Sequence, residues 1–335
     1  MGDEPAAEKS SVRYLTVGPE HAGQRIDNYL RTQLKGAPKS LVYRIVRSGE
    51  VRVNKGRAKP DTRLALGDVV RIPPLRLSED VPVRIGDALG ATLREAVLYQ
   101  DDSILVLNKP AGLAVHAGSG VHVGAIEALR TLYPELPGLE LAHRLDRETS
   151  GVLVFAKHRP ALLVLHALFR DDHVKKTYVA LVHGTFPDRL REVDAPLEKG
   201  ALRGGERMVE VRGDGKPSQT RFRVLRRFSE ATLIEAMPVT GRTHQIRVHA
   251  AHAGYPLVGD AKYGESDRDK ALRRFGPLRL FLHAASVRLP GLGLGSPKKE
   301  LRIEAPLADD LARFLTLLSE ARSSSRRPHD DEESR

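Results

Sequence analysis

Apolar positions recur at two spacings along this 335-residue chain, and the change of spacing marks where one kind of structure gives way to another. Ile26, Tyr29, Leu30 and Leu34 fall three and four apart, the spacing of one helix face, and Gly36 with Pro38 ends the run. Leu41, Val42, Ile45 and Val46 repeat the pattern, leaving Lys39, Arg44 and Arg47 for the opposite face, until Ser48-Gly49 breaks it. The period then drops to two. Val51 and Val53 alternate with Arg52, Asn54-Lys55-Gly56 turns the chain, and Leu64, Leu66, Val69 and Ile72 complete short strands around Gly67-Asp68. The pattern predicts two amphipathic helices followed by a β ribbon, a first domain over 22–77.

Residues 78–94 have no sustained period and read as a linker of mixed charge. A second domain is expected over 95–320. Val97 to Asp102 leads into the apolar run Ile104 to Leu107, and Asn108-Lys109-Pro110-Ala111-Gly112 turns the chain after that buried strand. A strand at Val152 to Ala156, a helix through Leu162 to Phe169 and a strand at Tyr178 to Val182 follow. Strands near Thr220 to Leu225 and Thr232 to Ala236 precede a helix closed by Gly254. Few connections have a full βαβ length, so the fold class is α+β with a mixed or mainly antiparallel sheet flanked by helices. The polar ends, 1–12 and 322–335, are expected to be disordered.

Composition sharpens this in one place. The net charge is +11, from 54 basic and 43 acidic residues, and most of the excess is concentrated. Between Ala22 and Leu77 stand 13 lysines and arginines against 4 acids. A compact basic block attracts polyanions by releasing the counterions of phosphates, which favours a nucleic acid partner. The chain has no cysteine, which removes disulfides, thiolate nucleophiles and zinc sites built on sulfur. No apolar run reaches the roughly 18 residues of a spanning helix, and Met1 to Ser11 lacks the apolar core of a secretory signal. A cytoplasmic address is expected.

The chemistry gathers at His143-Arg144-Leu145-Asp146-Arg147-Glu148-Thr149-Ser150-Gly151, which sets one carboxylate on a loop before the apolar run Val152 to Ala156. A desolvated carboxylate costs several kcal/mol unless cations or donors compensate it, so Asp146 between Arg144 and Arg147 suggests a charge held for use. A surface ion pair at a strand entry is the alternative. Lys175-Lys176-Thr177-Tyr178 puts a tyrosine at the start of an apolar strand, where it could equally be a core residue. Gly241-Arg242-Thr243-His244-Gln245-Ile246-Arg247-Val248-His249 offers arginines and histidines. His244, His249 and His252 invite a metal reading, but no H-E-x-x-H pattern or carboxylate triad accompanies them, and no metal is expected. Gly259-Asp260-Ala261-Lys262-Tyr263-Gly264 is a turn that supports the site or simply packs.

These stretches, with Asn108-Lys109-Pro110-Ala111-Gly112 and Phe281-Leu282-His283-Ala284, resemble the pseudouridine synthases of the RluA family in motif and in order. The first of them matches His-Arg-Leu-Asp-x-x-Thr-Ser-Gly at every fixed position. The basic block resembles the S4 RNA-binding domain through Gly23-Gln24-Arg25-Ile26-Asp27, Ser48-Gly49-x-Val51-x-Val53-Asn54 and Gly67-Asp68-x-Val70. A protein-binding module is the alternative for that unit. The resemblance implies a small αα-β S4 domain, with Arg25, Lys39, Arg44, Arg47 and Lys55 as RNA contacts, ahead of a catalytic domain. It implies uridines of 23S ribosomal RNA as substrate, and the protein is expected to be a monomer.

Turning uridine into pseudouridine breaks C1′–N1, rotates the uracil and joins C5 to C1′. The sugar passes through positive character that a carboxylate stabilises, as in glycoside cleavage. By resemblance Asp146 is that group, and attack on C1′ and removal of the C2′ proton remain alternatives. Arg247 matches the arginine that pairs with it, and Tyr178 the tyrosine that stacks on the base and assists removal of the C5 proton. The uridine must be flipped out of the RNA, and Arg144 matches the arginine that fills the gap. Lys109 and Arg242 are expected phosphate contacts. No redox or phosphoryl step is involved, so no cofactor is expected. Three rivals remain: a sister synthase acting on other ribosomal uridines or on tRNA, a non-catalytic S4-type ribosome-assembly protein, and a glycosidase, which would want a second carboxylate where only Glu148 lies near.

Overall fold

A computed structural model describes residues 11–34, 37, 39–75, 85–118, 123–203, 206–294 and 299–324. The chain divides into two units, up to residue 84 and from residue 85. In the first, helices α1 (Ile26–Gln33) and α2 (Lys39–Arg47) pack against a sheet of β1 (Arg13–Thr16), β2 (Arg52–Val53), β3 (Gly56–Arg57) and β4 (Val69–Ile72). The sheet order is β1-β4-β2-β3, antiparallel throughout. Of the helix positions read at spacings of three and four, Ile26, Tyr29, Leu30, Leu34, Val42, Ile45 and Val46 are buried with Val51, Val70 and Ile72, and Leu41 is half-buried against them. Two expectations change. The unit begins at Arg13 rather than 22, because β1 closes the sheet on β4 and buries Val17. Leu66 is exposed, because it belongs to the turn before Gly67, whose φ of 84° suits glycine.

The second unit contains α3 (Asp87–Glu95), β5 (Val97–Gln100), β6 (Ile104–Lys109), α4 (Ala125–Leu132), β7 (Glu140–Leu141), β8 (Ser150–Ala156) and α5 (Arg159–Arg170). It continues with β9 (Lys175–His183), β10 (Glu192–Asp194), β11 (Leu197–Arg203), β12 (Glu206–Val211), β13 (Gln219–Arg227) and β14 (Ala231–Pro238). Last come α6 (Gln245–His252), α7 (Ser266–Leu272), β15 (Leu282–Leu289), β16 (Leu301–Glu304) and α8 (Asp309–Ser324). Ten strands form one sheet in the order β10-β13-β14-β9-β15-β8-β6-β5, with β16 added on β15 and β7 on β8. Only β15 and β8 pair in parallel among the described strands, so the sheet is mixed and mainly antiparallel as expected.

The continuous apolar runs are explained by cover on both faces. Along β6 and β8, Ile104, Val106, Val152 and Val154 pack with Leu162 and Leu165 of α5, while Leu105, Leu107, Leu153 and Phe155 pack with Ala128 and Leu129 of α4. Alternate residues point to opposite faces, so a strand buried on both sides is apolar at every position. The second face also takes Leu93 of α3. That corrects the linker: residues 85–94 carry a packed helix of the second unit, and 78–84 lie outside the described residues. The expected tails at 1–12 and 322–335 lie almost wholly outside them too, although α8 continues to Ser324.

Candidate active site

Asp146 sits on the loop between β7 and β8, and that loop is tied down at every step. His143 is half-buried and neutral, since desolvation pulls its pKa down to about 3, and its ring stacks on Phe169 at 4.6 Å. Its Nε2 accepts the Val154 backbone N–H at 3.0 Å. The Thr149 N–H donates to the Asp146 carbonyl at 3.2 Å. Ser150 Oγ and His283 Nδ1 lie 2.9 Å apart, and His283 Nε2 is 3.3 Å from the Ala305 carbonyl, so Ser150 donates and the imidazole passes the bond on. Gly151 has φ 108°, and a Cβ there would lie 2.2 Å from the Ala284 carbonyl oxygen. Only glycine lets β8 approach β15 this closely.

Lys109 is where the structure overturns an expectation. Its ammonium is fully buried and donates to the carbonyls of Pro110 at 2.8 Å, Leu113 at 2.8 Å and Arg147 at 3.0 Å. All three of its hydrogens are spent on main chain, so it is an internal clamp on the Asp146 loop and no phosphate contact. Burial lowers its pKa to about 7 against the opposing pull of Glu148 and Asp146. Arg147 and Gly112 exchange a second pair of bonds across the same junction, each at 2.9 Å.

The cation that meets Asp146 is neither sequence neighbour. Arg147 is turned to Gly112, Arg144 is exposed, and the partner is Arg247 of α6, whose Nη1 donates to Asp146 Oδ2 at 3.2 Å. Arg247 is itself clamped by Asp260, with Nε and Nη2 donating to the two carboxylate oxygens at 2.8 and 2.7 Å. Asp260 also accepts the N–H groups of Lys262 and Tyr263, so the 259–264 turn supports the site. Burial opposes both charges. The hydrogen bonds of the pair nevertheless hold the Asp260 pKa down and the Arg247 pKa up. The Arg247 guanidinium lies 5.1 Å over the Tyr263 ring.

His244 fills the other side of the carboxylate. It stands at the start of α6 with φ 54°, a left-handed conformation that costs a non-glycine residue about 1 kcal/mol or more. Its Nδ1 is 2.8 Å from the Tyr263 hydroxyl, which accepts the Val209 N–H of β12 at 3.0 Å. Its Nε2 stands 3.7 Å from Asp146 Oδ2. Burial lowers its pKa, which keeps the imidazole neutral. The hairpin β11-β12 thereby reaches Asp146 through Tyr263 and His244. Two signals for this were present in the sequence, the Gly-Asp turn and the histidine beside the arginine-rich segment, but neither spacing showed which groups would meet.

Around these groups lies a cleft of about 370 Å³, at the small end of ligand pockets of roughly 300–1,000 Å³. Arg144, Asp146, Tyr178, Arg242 and Arg247 all line it, as do Lys176, Arg170 and His166. Burial, with the charge of Asp146, raises the Tyr178 pKa, so this residue is a phenol at neutral pH. Of the suspected metal ligands, His249 is spent between Thr220 Oγ1 at 2.9 Å and the Ala195 carbonyl at 3.0 Å, and no described cluster of three such side chains could hold a metal ion. In the first unit Arg44, Arg47 and Lys55 are exposed, with Arg47 5.6 Å over the Tyr43 ring. Arg25 is engaged by Asp27 at 3.1 and 2.7 Å, and the Lys39 side chain lies outside the described residues.

Residues 24–70 match the S4 domain and residues 103–252 match the RNA pseudouridylate synthase family. The chain is 52% identical over 309 residues to ribosomal large subunit pseudouridine synthase C of Yersinia pestis, covering 92% of this chain and 96% of that one. It is 51% identical over 319 residues to the protein of the same name from Escherichia coli K12, covering 94% and 99%. Among solved structures, human RNA pseudouridylate synthase domain containing 4 superposes with a TM-score of 0.57 at 28% identity, over 69% of this chain and 96% of that one. The protein carrying this cleft belongs to the RNA pseudouridylate synthase family.

Proposed function

We propose that this protein isomerises uridine to pseudouridine in 23S ribosomal RNA, acting as a cytoplasmic monomer. What carries the reading is the Asp146 carboxylate at the cleft, held by an arginine that is held in turn by a buried aspartate. The substrate class is supported by relatives over half identical across nearly the whole chain that are named for the large ribosomal subunit.

A uridine flipped into the cleft presents its sugar to Asp146, whose charge stabilises the positive character that develops at C1′ as C1′–N1 breaks. Attack on C1′ and abstraction of the C2′ proton both use this carboxylate. Tyr178 offers its ring for stacking on the uracil and its O–H as a donor. Because it is a phenol, it can take the C5 proton only after giving up its own. Arg144, exposed at the cleft, fills the place vacated by the flipped nucleotide, where its planar guanidinium stacks and donates. Arg242 borders the cleft, and Arg44, Arg47 and Lys55, with Lys39 and the partly engaged Arg25, give the S4 unit its grip on phosphates.

The test is pseudouridine mapping of 23S rRNA from cells lacking the protein, complemented with wild type or Asp146→Asn. Sites that vanish and return only with wild type are expected, while the variant binds rRNA normally. If no ribosomal site changes, the substrate reading fails and tRNA is the next to map. If Asp146→Asn restores the sites, the assignment of Asp146 fails.

A further inference from the structure

The cleft holds a cation that the isomerisation as written does not use. Lys176 lies two residues before Tyr178 on β9, so both side chains leave the same face of the strand about 7 Å apart, and both line the cleft. It is half-buried, and no carboxylate stands within ion-pair distance among the described residues. Burial lowers its pKa, and the charge of Asp172 opposes this only from a distance. The ammonium reaches across to the turn before α6, where a Cβ built on Gly241 would lie 4.0 Å from Lys176 Nζ. Arg242 follows at once and is exposed on the same rim. Asp146 is the one acid among the lining residues, and Arg247 already engages it.

We propose that Lys176, with Arg242 beside it, forms an anion subsite that grips the phosphodiester adjoining the flipped uridine; this rests on the reading that the cleft takes a uridine from RNA. The electrostatics of the reaction select phosphate over a uracil carbonyl as the partner. A bare ammonium near a sugar acquiring positive character raises the barrier, whereas one neutralised by a phosphate does not. With its phosphate held one pleat from Tyr178, the nucleotide has its base over the phenol ring and its sugar at Asp146. Lys176 is thus a binding residue that holds the substrate by its backbone.

The experiment uses the full chain as wild type, Lys176→Met and Lys176→Arg, with a 23S rRNA fragment carrying a target uridine. A second fragment has an uncharged methylphosphonate at the linkage next to that uridine. Single-turnover rates are measured against enzyme concentration at several salt concentrations. Lys176→Met is expected to raise the half-saturation concentration roughly ten-fold or more with the saturating rate little changed. The slope of log affinity against log salt should fall by about 0.7, and Lys176→Arg should restore most of both. The methylphosphonate should weaken wild type by a similar factor and Lys176→Met hardly further. Unchanged affinity and salt slope in Lys176→Met would overturn the subsite, as would losses from variant and methylphosphonate that simply multiply, or a loss confined to the saturating rate. Wild type that binds the fragment but forms no pseudouridine would instead overturn the substrate reading, while the binding slopes still decide the subsite.

Discussion

Each unit contains an aspartate held by the forked end of an arginine, and the two pairs do different work. In the first unit Asp27 takes Arg25, two residues away, together with the Tyr43 hydroxyl at 3.0 Å and the Asn28 N–H at 2.8 Å. Its carboxylate is nearly buried, but the arginine is 42% exposed. In the second unit Asp260 takes Arg247 with both groups inside, at 0% and 8% exposure, and the guanidinium still has an N–H left for Asp146. The first pair is local and half in water, and it fastens the start of α1 to α2. The second is desolvated, and its product is an aimed cation. A buried pair of this kind adds little net stability, but losing one partner strands the other.

The largest effect is expected where a charge is stranded. Asp260→Ala leaves the Arg247 guanidinium buried with Asp146 as its remaining partner, and should cost about 3–5 kcal/mol in urea unfolding. Isomerisation should fall with it, because Arg247 is then free to swing. The Asp260 pKa is lowered on folding, so its contribution is complete above the ordinary carboxylate value and is lost as pH falls through the folded one. Wild type should therefore lose stability below about pH 4 more steeply than the variant. A variant as stable as wild type would show that the clamp is not what holds Arg247.

Lys109→Met removes the donor from three carbonyls while keeping the apolar stem, and about 1–3 kcal/mol should be lost. Faster amide exchange should be confined to the 109–113 and 146–149 loops. Smallest is Asp27→Asn, which keeps two acceptor contacts and loses a charge whose arginine partner is half in water. A loss of about 1 kcal/mol, read from exchange in α1 and α2, should leave the rate of isomerisation unchanged. A cost equal to that of Asp260→Ala would mean that burial is not what separates the two pairs.

The same contrast explains how much of the molecule was legible in the sequence. Whatever depends on neighbours a few residues apart could be read: α1 and α2 announce themselves by period, β6 and β8 by unbroken apolar runs, and the Gly67 turn and the end of α6 at Gly254 by residue type. The 78–94 segment misled because α3 is short and carries Gly90 on its buried face, which blurs the helical spacing. Charged residues alternating with few apolar ones hid β11 and β12. Asp146 was legible as a charge awaiting a partner, yet the adjacent arginines pointed to the wrong one. The true partner lies 101 residues on, and only resemblance to a family named it. Lys109 shows the converse. Residue type suggested a phosphate, and nothing short of the folded main chain could show three carbonyls converging on the ammonium.

The position of β15 has a consequence for how the enzyme comes into being. It lies between β8 and β9 in the sheet, although it is among the last strands in the chain. Before it arrives, β5, β6 and β8 can pair on one side and β9, β14, β13 and β10 on the other, with two unsatisfied inner edges facing a gap. Asp146 enters β8 on the first of these half-sheets, while Tyr178 on β9 and Arg247 on α6 belong to the second. A chain still being translated therefore holds the walls of this cleft in two separate pieces. Only once Leu282–Leu289 has emerged can the central strand slot in, and that late, long-range step is slow by its topology. A chain cut before β15 is left with exposed strand edges that invite aggregation.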